Sequence, residues 1–155
     1  LSAVASNGYP EFIFIPTHHI KKGQTMARPV PIGTKAESIL KVELRHTLQG
    51  LDKRLPPVLS TPHMIGWMEH ACFLATEPFQ EGGEITVGTA IHVTHRAPTG
   101  IGATIRATAE LEKIDGRFLI FRVFAEEGGR IVGEGHVHRA FVHVASFMAK
   151  HSVAK

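Results

Sequence analysis

The sequence predicts an α+β domain in which one antiparallel sheet wraps around a single long helix. Three observations lead there. Residues 61–75 carry a continuous apolar stripe opened by a proline. The segments after it read as strands separated by tight turns. No alternation of strand and helix, and no internal repeat, recurs along the chain.

The 155 residues, 43% hydrophobic and 20% charged, suit one globular domain with a real core. The net charge of +3 is not gathered into a basic run, so no nucleic-acid partner is inferred. Cys72 is the single cysteine; it falls on the apolar stripe, cannot form an internal disulfide and reads as packing. No segment reaches the apolar length of a membrane span, so no membrane partner and a cytoplasmic location are expected.

Residues 1–33 read as a flexible extension, because Pro10, Pro16, Pro29 and Pro31 with Gly8, Gly23 and Gly33 break every candidate element. Within it, Leu1 to Thr25 is expected to be a leader or an expression-derived addition, with Met26 as a natural start. The domain itself is expected over 34–147, followed by a C-terminal tail over 148–155.

A strand is expected from Lys35 to Leu48, since Val42, Leu44, His46 and Leu48 keep a period of two. Gly50 to Leu59 then forms a loop whose leucines make it a candidate lid, with plain connection as the alternative. In the helix, Thr61 is the expected N-cap and Pro62 the first helical residue. Met64, Ile65, Met68, Ala71, Cys72 and Ala75 make its stripe, and Pro78 with Gly82-Gly83 stops it near Thr76. Strands follow at Ile85–Arg96, Ala103–Ile114, Arg117–Ala125 and Ile131–Val144, punctuated by Pro98–Gly100, Asp115-Gly116 and Gly128-Gly129. One sheet around one helix leaves edges and an open face, and dimerisation is the usual remedy.

Candidate chemistry is sparse. Glu69 borders the apolar stripe and reads either as a solvated edge residue or as a partly desolvated carboxylate facing a cleft. His95 continues the Ile91–Val93 face of its strand, either as a hydrogen-bonded edge residue or as an imidazole assisting a carboxylate. Gly88 reads as a packing glycine or as a close approach of backbone to ligand. His136 and His138 share a face, but no acidic or cysteine partner stands at ligand spacing, so no metal is expected.

Taken together, Val58-Leu59-Ser60-Thr61-Pro62, Glu69, Gly88 and His95 with Pro98-Thr99 resemble the hotdog-fold acyl-CoA thioesterases, most nearly the fluoroacetyl-CoA thioesterase group. The spacings of Thr61 to Glu69, Glu69 to His95 and Gly88 to His95 fit that family's catalytic threonine, glutamate and histidine and its substrate-binding glycine. The resemblance implies a homodimer or dimer of dimers that hydrolyses an acyl-CoA in a tunnel at the dimer interface, without metal or organic cofactor. It implies Glu69 as base or nucleophile, His95 holding water or protonating the thiolate, and Thr61 hydrogen-bonding Glu69 or the carbonyl. Leu55, Val58 and Leu59 would line the acyl pocket where the family's fluoroacetyl-specific member has aromatic residues, so that selectivity is not carried over. Arg96, with Arg106, Lys113 and Arg139, is a candidate contact for CoA phosphates. A non-catalytic acyl-CoA or acyl-carrier binder and, behind it, an enoyl-CoA hydratase or dehydratase are the alternative readings.

Overall fold

The computed structural model describes residues 30–151. The expectations for Leu1 to Thr25 lie outside the described residues. Five strands form one antiparallel sheet: β1 (Lys35–Lys41), β2 (Glu84–His95), β3 (Thr104–Asp115), β4 (Phe118–Glu127) and β5 (Arg130–His143). Their spatial order is β1-β3-β4-β5-β2, so β1 and β2 are its margins. A short helix α1 (Leu48–Leu51), the long helix α2 (Thr61–Thr76) and a terminal helix α3 (Val144–His151) complete the fold.

The helix α2 lies across one face of this sheet, touching all five strands. Its buried side is Met64, Trp67, Met68, Ala71, Cys72, Ala75 and Thr76. Against these pack Ile105, Leu111, Leu119, Phe121, Val123 and Val137, all fully buried. Each such aliphatic or aromatic side chain contributes about 1.5–3 kcal/mol through burial, so this interface is what holds the helix on the sheet. Contact is close enough that a methyl group at Gly133 would fall 2.5 Å from Met64 Sδ. Register is set locally by the turns, with Asp115 paired to Phe118 across Gly116, and Glu127 to Arg130 across Gly128-Gly129.

Four expectations are corrected. The N-cap of α2 is Ser60, and Thr61 is already helical. The first strand ends at Lys41; Leu44–His46 form a 3-10 turn, and Thr47 closes the next turn by accepting from the Gly50 N–H and donating to the Leu44 carbonyl. The alternation of Val42, Leu44, His46 and Leu48 therefore does not trace a strand face, and Leu44 is 52% exposed. Residues 30–33 belong to the folded unit, since Val30 is buried in the core and the Gly33 N–H donates to the Leu111 carbonyl. Residues 148–151, expected as tail, continue α3.

Candidate active site

The start of α2 and the end of β2 meet. The Thr61 hydroxyl and His95 Nδ1 are 2.9 Å apart, joining residues 34 positions distant in sequence. The His95 Nε2 atom is buried and has no hydrogen-bond partner among the described residues. A hydroxyl against an imidazole nitrogen can exchange a proton, which is the minimum needed for nucleophile activation or for protonating a leaving group.

A second group gathers two turns farther along α2. Glu69 is partly exposed and borders an open cleft of about 390 Å³ between α2 (Gly66, Glu69, His70, Phe73) and β2 (Thr86, Val87, Gly88), with Arg139 at its base. Gly88 presses on the carboxylate so closely that a methyl group there would lie 2.1 Å from Glu69 Oε1. Arg139 Nη1 approaches the same oxygen at 3.4 Å. Burial pulls the Arg139 guanidinium below its ordinary pKa, and the Glu69 charge opposes that pull. Burial also pushes the neighbouring Cys72 thiol up to about 12, which leaves it an unreactive packing group.

Of the sequence-derived residues, Thr61 thus meets His95, and Glu69 meets Gly88. One chain does not bring the two pairs together: eight residues of helix separate Thr61 from Glu69 by about 12 Å, and seven residues of strand separate Gly88 from His95 by about 23 Å. Leu55, Val58 and Leu59 lie at the Thr61 end and do not border the Glu69 cleft. Leu55 is 41% exposed, Val58 bridges to Gly100, and Leu59 is a core residue at 1% exposure. Arg96 pairs with Glu134, Arg106 with Glu37 and Glu126, and Lys113 with Asp115. None of these candidate phosphate contacts is an unpaired cation. His136 pairs with Glu112 at 2.9 Å, and among the described residues no group of three or more His, Cys, Asp or Glu side chains is placed to hold a metal.

Sequence reasoning missed Arg139 as the partner of Glu69, and with it Thr86. Its signal was present: Arg139 shares strand parity with Val137 and Phe141, which are apolar, so it was due to face inward and need an anion.

Residues 42–145 match the family of fluoroacetyl-CoA-specific thioesterases. The chain belongs to this family. A curated relative, the fluoroacetyl-CoA thioesterase of Streptantibioticus cattleyicolor, is 46% identical over 95 residues, which are 61% of this chain and 68% of the relative. A solved structure of a fluoroacetyl-CoA thioesterase is 37% identical with a TM-score of 0.74, covering 79% of this chain and 96% of its own. A Thermus thermophilus member of the thioesterase superfamily is 28% identical with a TM-score of 0.73, covering 79% and 91%. The fold is accordingly the hotdog fold, and the chain is an acyl-CoA thioester hydrolase like the family to which it belongs.

Proposed function

We propose that the thioesterase hydrolyses a short or medium acyl-CoA at a composite site, with Glu69 of one copy working against Thr61 and His95 of another. The observation that carries this is the packing of the Glu69 carboxylate on Gly88, where the absence of a side chain leaves one face of a charged group open to the cleft. Glu69 takes a proton from water as the oxygen attacks the thioester carbonyl. The carbon–sulfur bond then breaks, the departing thiolate takes a proton from His95, and the proton held by Glu69 returns through solvent to the imidazole, leaving free acid, CoA and the starting enzyme. Thr61 holds the carbonyl oxygen or the imidazole during this exchange.

Pairing of β2 margins accounts for the separation of the two pairs. An antiparallel pairing with its two-fold axis between Ile91 and His92 sets Gly88 opposite the partner's His95, because 88 + 95 and 91 + 92 have the same sum. Ile91, at that axis, is 41% exposed in the single chain. The site needs no metal or organic cofactor. A cytoplasmic location fits the absence, among the described residues, of any helix long and apolar enough to cross a membrane.

The 2.9 Å contact between Thr61 and His95 favours a second reading, in which the threonine hydroxyl itself attacks and the imidazole is its base. Release of thiol from fluoroacetyl-, acetyl-, butyryl- and hexanoyl-CoA separates these. With Glu69 as base, Glu69→Gln lowers turnover by about 10²–10⁴ while Thr61→Ala loses less. The reverse ranking assigns the attack to Thr61. Full turnover in Glu69→Gln removes Glu69 from the chemistry.

A further inference from the structure

Arg139 is only 6% exposed, so each donor on its guanidinium needs a partner. The donors are not shared evenly. Nη2 donates to the Thr86 carbonyl at 2.6 Å and Nε to the Thr86 hydroxyl at 3.1 Å. Nη1 is left for Glu69, reaching Oε1 at 3.4 Å and the Glu69 carbonyl at 3.5 Å. The Nε–Nη2 edge is one that an arginine can offer to a carboxylate in a two-point pair, with contacts of about 2.7–2.9 Å. Here Thr86 occupies that edge, and Glu69 receives one long contact.

The Thr86 hydroxyl is itself fixed from behind. Thr76, fully buried on α2, donates its single hydroxyl proton to the Phe73 carbonyl at 2.8 Å. Its contact with the Thr86 hydroxyl, also 2.8 Å, must then be one in which Thr86 donates. Having given its proton to Thr76, Thr86 can only accept from Arg139. The bonds run one way: Arg139 to Thr86, Thr86 to Thr76, Thr76 to the helix backbone.

We propose that Thr86, oriented by Thr76, is a positioning residue for the hydrolysis: it holds the Arg139 guanidinium so that Glu69 has a cation beside it without being clamped by it. A carboxylate gripped by both arms of an arginine is a poor base, because each lone pair turned toward water is already committed. The inference rests on the reading of Glu69 as the base.

The test compares Thr86→Val, which keeps the shape and removes the hydroxyl, with Thr86→Ser, which restores it, and uses Glu69→Gln as control. Steady-state hydrolysis of acetyl- or butyryl-CoA gives kcat and KM, and thermal melts report folding. Thr86→Val is expected to lower kcat about tenfold or more with KM nearly unchanged, and Thr86→Ser to recover most of the loss. Parental kcat in Thr86→Val, with Glu69→Gln inactive, overturns the proposal alone. So does a Thr86→Ser variant as impaired as Thr86→Val, which would assign the effect to the lost methyl packing. Full turnover in Glu69→Gln overturns the reading of the site and the proposal with it. Should Thr86→Val not fold, Thr76→Val breaks the same chain one bond farther from the arginine, and an unchanged kcat there overturns the proposal.

Discussion

A methyl group at position 88 has nowhere to go, since the atom it would meet is Glu69 Oε1 at 2.1 Å. The carboxylate is the movable party, because it ends a flexible side chain while Gly88 is held in the β2–β5 ladder opposite Arg139. Gly88→Ala is therefore expected to leave folding intact and displace the carboxylate by about an ångström, with a loss of turnover near 10²-fold. Thiol-release kinetics beside a thermal melt check both halves; full activity would mean that the carboxylate's position is immaterial. Single residues were legible in the sequence to the extent that their chemistry was local. Glu69 and Gly88, like Thr61 and His95, were singled out by the resemblance to the thioesterase family, but the contact between Thr61 and His95 spans 34 positions and follows only from how the helix lies on the sheet.

The 3-10 turn before α1 couples histidines to the fold. The His46 ring takes the Glu43 N–H at 3.0 Å and meets His63 and Trp67 edge-on. Burial, and after it the Arg45 charge, hold its pKa below the ordinary value of 6.5. The unfolded chain thus binds the proton more readily than the folded one. The stability linked to His46 is fully present above that ordinary value and is lost as pH falls through the folded one. Thermal melts at about pH 7.5 and 5.5 are expected to show a smaller acid-induced drop in Tm for His46→Asn, which keeps an acceptor for Glu43 but cannot titrate. An identical drop would place the acid sensitivity elsewhere. The same region shows why elements differ in legibility. Strands β2 to β5 begin and end within two residues of expectation, because glycine and proline turns fix them locally. At 42–48 the apolar alternation was real but the backbone followed other bonds: the Thr47 hydroxyl to Leu44 and Gly50, and His46 to Glu43. Helix α3 follows β5 directly, with no turn residue to announce it.

At the scale of the molecule, the proposed site requires two copies. Light scattering at micromolar concentration is expected to give a dimer or a multiple of it. Mixing gives a sharper check. His95→Ala and Glu69→Gln subunits are each inactive alone under the composite reading, yet a mixed dimer holds one intact site out of two. After unfolding and refolding together in equal amounts, about a quarter of the parental activity is expected to return, since half the random dimers are mixed. No recovery would mean that each chain contains its own complete site.

The two margins of the sheet are unlike. Strand β1 carries Lys35, Glu37 and Lys41 along its seven residues, whereas β2 has one charged residue, Glu84, in twelve. Charges discourage backbone pairing at a free margin. The proposed association through β2 would use up the unguarded side of each copy and leave charged sides outward. Under the proposed pairing, growth would therefore terminate as soon as it begins, and the same strand that completes the site would also keep the chain from polymerising into fibres.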